Sequence, residues 1–221
     1  MEALIRWNDP DTGLVPPGKF IPILEETGMI LEVGQWALGE AARVYQKWQT
    51  AGLPAPRIAV NVSAIQLRQK DFARTVQEAI GSTHGAHGID IEITESMLML
   101  DIDHSIVLLQ SVRDMGVMIS MDDFGTGYSS LSYLARLPLD YLKIDRSFVG
   151  NMTDSPDDLA IASAIVSMAQ SLTLQTIAEG VETKAQADLL KALGCNQMQG
   201  FYFSPPVPEE RLIKMLTAET G

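Results

Sequence analysis

The chain has 221 residues, of which 46% are hydrophobic and 20% charged, and its formal net charge is −12. This apolar content excludes a disordered chain, and the acidic balance argues against binding of nucleic acid polymers through a broad basic surface. One cysteine excludes a disulfide framework, and the lack of a signal peptide or an apolar run of roughly 18 residues predicts a soluble, cytoplasmic chain without a membrane segment.

Short apolar runs bounded by turn residues alternate with longer stretches of helical periodicity along the chain. A strand-like run, MEALIRW, comes first, and two helices are predicted after it, from about Gly18 to Met29 and from Leu31 to Gln49. The later predicted strands are Arg57–Ser63, Ile89–Glu95, Val117–Asp123, Tyr141–Val149, Leu172–Glu179 and Gln197–Phe203. The helices between them are predicted at Ala64–Ile80, Ile102–Met115, Ser129–Arg136, Asp157–Ser171 and Thr183–Leu193.

Local signals support these boundaries and indicate the fold class. Ser63 to Gln66 and Thr183 to Gln186 each fit a capping box, in which a hydroxyl and a glutamine satisfy helix N–H groups. Strand–helix units of about 30 residues are typical of parallel α/β sheets. No linker divides the chain, so residues 1–221 are predicted to form one domain. The pattern leaves open a doubly wound sheet or a closed barrel, although the missing early glycine-rich loop argues against a dinucleotide-binding fold.

Polar side chains stand near the ends of nearly every predicted strand. They are Glu2, Asn61, Glu92, Glu95, Asp122, Asp123, Lys143, Asp145, Glu179 and Gln199. In a (βα)8 barrel the C-terminal strand ends meet at one mouth, where the active site forms. Carboxylates gathered there would raise one another's pKa values, and divalent cations would relieve the conflict. Oxygen ligands without His or Cys favour Mg²⁺ or Mn²⁺ over Zn²⁺, and paired ions suit displacement at phosphorus.

Each of these residues also has a structural interpretation. An acid after a strand is commonly the N-cap of the next helix, and Asp123 before FGTG fits the start of a turn. Glu182 fits a first-turn acid favoured by the helix dipole. Six strand ends in succession nevertheless favour a shared site. His84 and His87 are predicted to lie in a glycine-rich loop, and Cys195 in the core.

Eight motifs occur in a specific order along the chain. They are EAL at 2–4 with Arg6-Trp7, FIP at 20–22 with EETG at 25–28, NVS at 61–63 with Gln66, EITES at 92–96, DDFGTG at 122–127, LKID at 142–145, AEGVET at 178–183 and QGF at 199–201. This ordered set resembles the EAL domain family of bacterial cyclic di-GMP phosphodiesterases, from the first residues to Pro206 or beyond. The resemblance implies a modified TIM-like (β/α)8 barrel that hydrolyses cyclic di-GMP to linear pGpG by two-metal activation of water.

The resemblance also implies roles for individual residues. One Mg²⁺ or Mn²⁺ ion would be held by Glu2, Asn61, Glu92 and Asp122, and a second by Asp122, Asp123 and Glu179. Lys143 would hold and polarise the attacking water, and Gln199 would hold water or substrate. Leu4 and Arg6 resemble substrate contacts. Glu95 would order the segment from Asp122 to Tyr128. Asp145 and Glu182 would contact the ligand-bearing segments and hold them in position.

Two departures from the family pattern carry expectations of their own. Relatives have a first barrel strand ahead of the EAL motif, so this chain is expected to be N-terminally truncated, with Glu2 at a terminus that frays unless something covers it. Pro205 stands where the family carries a basic residue, which would weaken substrate attraction.

The resemblance further implies a homodimer and upstream sensor or GGDEF-type domains, able to carry a membrane anchor. The alternatives are a non-catalytic cyclic di-GMP-binding or partner-docking module and a metal-dependent hydrolase of another phosphodiester.

Overall fold

The computed structural model describes residues 1–81, 88–98, 101–125 and 131–218. The predicted loop histidines His84 and His87 and the start of the predicted helix at Ser129 lie outside these ranges. Contacts within the chain form two compact units, Met1–Glu92 with Val107–Val117 and Ile93–Ile106 with Met118–Gly221.

The first unit contains helices, parallel strands and one antiparallel hairpin. Its elements are β1 (Glu2–Ala3), β2 (Trp7–Asp9), β3 (Gly13–Val15), α1 (Pro17–Thr27), α2 (Ile30–Thr50), β4 (Ile58–Asn61), α3 (Ala64–Leu67), α4 (Phe72–Ile80), most of β5 (Ile89–Thr94) and the C-terminal part of α6 (Ile102–Arg113). β1 pairs in parallel with β4, and β4 in parallel with β5, whereas β2 and β3 form an antiparallel hairpin. Leu38, Trp48, Phe72 and Val76 are among its most deeply buried side chains.

The second unit continues the alternation of strands and helices. Its further elements are α5 (Glu95–Leu98), β6 (Met118–Phe124), α7 (Leu131–Leu134), β7 (Tyr141–Ile144), α8 (Arg146–Asn151), α9 (Pro156–Ser171), β8 (Gln175–Ala178), α10 (Lys184–Leu193), β9 (Gln197–Met198) and α11 (Glu209–Ala218). β6, β7, β8 and β9 pair in parallel in that order. Four parallel strands whose carboxyl ends lie at one edge place the residues after them close together.

The predicted capping boxes are confirmed. Ser63 Oγ accepts from the Gln66 N–H and Gln66 Oε1 accepts from the Ser63 N–H, at 3.3 and 3.1 Å. The same reciprocal pair joins Thr183 and Gln186 at the start of α10, which ends at Gly194 in the left-handed conformation. These local signals determine where both helices begin because they satisfy N–H groups that a helix leaves without partners.

The predicted helix Ala64–Ile80 is wrong in its continuity, because α3 ends at Leu67 and α4 begins at Phe72. Both of these residues are buried. Five positions apart on one continuous helix, their side chains would point about 140° apart. The break allows both to enter the core.

Several predicted strands are too long, three of them by four residues or more. Tyr141–Val149 ends at Ile144, because Asp145 caps α8 through its carboxylate and the Ser147 N–H at 2.9 Å. Leu172 to Leu174 belong to the turn that closes α9, and β9 contains only Gln197–Met198 of the predicted run to Phe203. Apolar composition extends beyond each strand, so composition could not mark where pairing stops. α11 was not predicted, and neither was the β2–β3 hairpin.

Candidate functional site

The N-terminal end of the first unit is held by backbone pairing. The Met1 ammonium group donates to the Arg57 carbonyl at 3.0 Å, and the Ala59 N–H donates to the Met1 carbonyl at 2.8 Å. Glu2 therefore lies within a paired strand. Parallel pairing with β4 supplies the cover without which this terminus was expected to fray, because it satisfies these backbone groups.

Three of the predicted ligands lie on the neighbouring strands β1, β4 and β5. Asn61 Nδ2 donates to Glu2 Oε1 at 2.7 Å, and Asn61 is the register partner of Glu92. Glu92 is only 3% exposed. The structure thus brings Glu2 and Asn61 into direct contact and places Glu92 opposite Asn61.

Leu4 and Arg6, the expected substrate contacts, directly follow β1. Leu4 is 43% exposed, and Arg6 is exposed with its Nη1 donating to the Ile5 carbonyl at 2.8 Å. Both side chains remain accessible to a ligand.

In the second unit, a buried lysine joins two of the predicted carboxylates. Lys143 is 1% exposed, and its Nζ lies 2.6 Å from Glu179 Oε1 and 3.2 Å from Asp122 Oδ1. Gln199 Nε2 donates to the same Glu179 oxygen at 3.5 Å. The parallel registers of β6 to β9 produce this grouping, because they align residues that are far apart in sequence.

Asp123 occupies an unusual backbone position in β6. The pairing of β6 with β7 shifts between Met121 and Phe124, and Asp123 has a φ of 54°. Aspartate tolerates this left-handed conformation better than most residues, and bulges of this kind redirect side chains next to functional sites. The Asp123 N–H also donates to Asp122 Oδ1 at 2.9 Å.

The pKa of the Asp123 carboxyl is raised above its ordinary value of 3.8. Although the residue is exposed, neighbouring protein removes part of the water from the carboxyl, and this is the leading cause. The negative charges of Asp122 and Asp145 also raise this pKa, while Lys143 and Arg146 lower it. The end of β6 therefore carries a surplus of negative charge.

The residues expected to support the site occupy three different positions. Glu95 is 4% exposed at the start of α5, and its Oε2 accepts from the Gly125 N–H at 3.4 Å. This contact involves the segment from Asp122 to Tyr128 that Glu95 is expected to order, of which residues 126–128 lie outside the described ranges. Asp145 accepts from both the N–H and the hydroxyl of Ser147. The Glu182 N–H donates to Gln186 Oε1 at 2.8 Å, within the cap of α10.

Two glycines, just after the carboxyl ends of β8 and β9, were not predicted as site residues. A Cβ on Gly200 would lie 2.2 Å from the Val181 carbonyl oxygen, and one on Gly180 would lie 2.6 Å from Arg146 Cβ. These are the second residues of the EG and QG pairs that contain Glu179 and Gln199. A glycine directly after a strand-end polar residue was the available signal, since it permits a close approach of neighbouring segments.

The predicted metal ligands in each unit suit a hard divalent cation, because their donor atoms are all carboxylate or amide oxygens. Within the described ranges no cluster of three or more His, Cys, Asp and Glu side chains is arranged as a metal cage. Lys143 Nζ lies between Asp122 and Glu179 instead. The raised pKa of Asp123 is the observation that favours a cation, since added positive charge would relieve its repulsion from neighbouring acids.

Comparisons with known proteins converge on one family. The family model described as EAL domain matches residues 1–206. The chain is 47% identical over 215 residues to the bifunctional diguanylate cyclase/cyclic di-GMP phosphodiesterase MucR of Pseudomonas aeruginosa, covering 96% of this chain and 31% of that protein. It is 44% identical over 219 residues to the cyclic di-GMP phosphodiesterase NbdA of the same organism, covering 99% and 28%. The chain thus spans about a third or less of the length of these relatives.

The fold agrees with a solved structure described as the PaMucR phosphodiesterase in complex with c-di-GMP. The TM-score is 0.91 at 47% identity, and the match covers 96% of this chain and 86% of the other. The predicted class is confirmed as α/β of the TIM-like (β/α)8 type, with seven parallel strands, β1 and β4 to β9, among the described residues. None of the helices in the described ranges combines the length and the hydropathy that a membrane span requires.

Proposed function

The chain belongs to the EAL domain family, and from this premise we propose that it is a metal-dependent phosphodiesterase that hydrolyses cyclic di-GMP to linear pGpG. The observation that carries this proposal is the buried Lys143 ammonium group in contact with Asp122 and Glu179 at parallel strand ends. The names of MucR and NbdA, which are cyclic di-GMP phosphodiesterases, support the substrate.

We propose that residues 1–221 act as one EAL-type domain with two Mg²⁺ or Mn²⁺ ions. Following the family resemblance, Glu2, Asn61, Glu92 and Asp122 would hold one ion, and Asp122, Asp123 and Glu179 the other. Bound divalent ions supply Lewis acidity and positive charge for displacement at phosphorus. The match to the PaMucR structure over 96% of the chain supports treating it as one domain.

The chain's own residues then have distinct tasks in the hydrolysis. Lys143 orients the attacking water and stabilises negative charge that develops at phosphorus. The water oxygen loses a proton as it bonds to phosphorus, the P–O3′ bond breaks, and the departing 3′ oxygen takes up a proton, which leaves a 5′ phosphate and a free 3′ hydroxyl. Gln199 Nε2, which donates to Glu179, keeps that carboxylate oriented. Arg6 and Leu4, exposed after β1, contact the nucleotide.

The length of the relatives supports a proposal about the rest of the protein. Because the chain covers only 31% of MucR, we propose that it works as one part of a longer protein with sensor or GGDEF-type domains upstream. We also propose a cytoplasmic location and a homodimer, and that Glu95 orders the segment from Asp122 to Tyr128. Asp145 and Glu182 hold the ligand-bearing segments in position.

A metal-exchange assay tests the proposal directly. Nucleotide products are separated chromatographically after incubation with cyclic di-GMP in Mg²⁺, Mn²⁺, Ca²⁺ or a chelator. Turnover to pGpG is expected with Mg²⁺ and Mn²⁺, binding with poor turnover is expected with Ca²⁺, and the chelator should abolish activity. Glu2→Gln should reduce turnover at least about 100-fold, whereas Glu26→Gln, at the exposed end of α1, should leave it unchanged.

The alternatives give different results in the same assay. A chain that binds cyclic di-GMP tightly in all ions but never hydrolyses it is a receptor rather than an enzyme. Faster turnover of another phosphodiester, such as a cyclic mononucleotide, would overturn the substrate. Wild-type activity in the chelator would overturn the metal requirement.

A further inference from the structure

We propose that Arg146 binds a phosphodiester oxygen of the nucleotide at the carboxyl ends of β7 and β8. This inference rests on the proposed function and adds a ligand-binding residue to those that the family resemblance implies. The LKID motif ends one residue earlier, so sequence reasoning did not include Arg146.

The backbone around Arg146 is held firmly on both sides. The preceding residue, Asp145, accepts hydrogen bonds from Ser147, the residue that follows Arg146. The Arg146 Cβ lies so close to Gly180 that a Cβ there would come within 2.6 Å, and Gly180 has a φ of 67°. The stem of Arg146 therefore packs against the turn directly after Glu179. A guanidinium on such an anchored stem loses less conformational entropy when it binds a ligand.

Of Lys143 and Arg146, which both lie beside the carboxylates of this edge, Arg146 is exposed to solvent and Lys143 is buried. Lys143 is 1% exposed and is already engaged by Asp122 and Glu179. Arg146 is exposed, and its guanidinium has no hydrogen bond or ion pair with the parts of the chain that the structure describes. Arg146 is the second residue after the end of β7, and its Cβ lies against Gly180, which directly follows Glu179, so its stem lies at the strand ends.

The electrostatics of the edge explain why such a cation would be used. Asp122, Asp123, Asp145 and Glu179 all carry carboxylates there, and the negative charge that the ions of the proposed function leave uncompensated repels an anionic phosphodiester. An exposed guanidinium offers positive charge and a planar pair of donors that match two phosphate oxygens. One charge-assisted contact of this kind at an exposed position corresponds to about a tenfold change in affinity.

The test compares two arginines in the same unit. Arg146→Ala, Arg146→Lys and the control Arg211→Ala are prepared in the full chain. Arg211 is exposed on α11, so its removal changes the net charge equally. The dissociation constant for cyclic di-GMP is measured by calorimetry in Ca²⁺, kcat and KM are measured in Mg²⁺, and melting temperatures are recorded. Arg146→Ala should raise Kd and KM about tenfold and leave kcat within threefold, and Arg146→Lys should recover part of the affinity.

The outcomes separate this inference from the proposed function. Equal Kd values for Arg146→Ala and Arg211→Ala would overturn the role of Arg146, even when wild-type turnover confirms the enzyme. A lower melting temperature with unchanged Kd would show a structural residue and would also overturn it. If wild type binds without turnover, the enzyme proposal fails while the Kd comparison still decides the role of Arg146. If wild type neither binds nor hydrolyses the nucleotide, both fail.

Discussion

Replacing Lys143 with Met separates its charge from its packing, because Met fills much the same volume as the lysine stem. The ammonium group is 1% exposed, and the carboxylates of Asp122 and Glu179 that it contacts have 14% and 18% of their side chains exposed. Removing one partner of a buried ion pair costs about 3–5 kcal/mol, and partial exposure of both carboxylates lowers this to about 3 kcal/mol. At about 3 °C per kcal/mol, the melting temperature in chelator should fall by roughly 9 °C.

The matched control is Lys184→Met, which removes an exposed pair with Asp188 at 2.6 Å, where 72% and 63% of the side chains are accessible. An exposed helical pair contributes about 0.3–0.5 kcal/mol, so this melting temperature should hardly change. Scanning calorimetry in chelator, repeated with Mn²⁺, measures both variants. Mn²⁺ should stabilise Lys143→Met more than wild type, because the ion then supplies the missing positive charge. Equal melting temperatures for the two variants in chelator would refute the role of Lys143 as the buried counter-ion.

Three further substitutions test other parts of the chain. Asp123→Asn keeps the tolerance for a φ of 54° but removes a carboxyl whose pKa is raised, so ionisation of that carboxyl disfavours folding at neutral pH. The variant should be more stable than wild type in chelator at pH 7, and the difference should vanish as the pH falls towards 3.8; a difference that persists in acid would contradict this cause. Gly200→Ala places a methyl group 2.2 Å from the Val181 carbonyl oxygen and should lower the urea midpoint, whereas Gly150→Ala, with nothing within 4 Å, should not. Ser63→Ala removes the cap of α3 and should cost about 1 kcal/mol in urea titrations, and no loss would show that the capping box is redundant.

Local sequence signals were sufficient to predict the alternation of strands and helices and the positions of several helix ends. The capping boxes at Ser63 and Thr183 occur where they were predicted, and α10 ends at Leu193, as predicted. Strand lengths were less predictable, as Tyr141–Val149 shows, because Asp145 competes for the backbone with a side-chain cap. The break between α3 and α4 depends on the burial of both Leu67 and Phe72, which no local signal encodes.

The kinds of side chain at the strand ends, and hence the preference for a hard divalent cation, could be derived from the order of residues along the chain. The contact of Lys143 with Asp122 and Glu179, which lie 21 and 36 positions away, could not. Periodicity and caps act within a few residues, whereas the distance between strand ends depends on the parallel register across whole helical crossovers. The same reason applies to Arg146 beside Gly180: the sequence contains both residues, but only the packed strands bring the exposed cation next to the acidic edge.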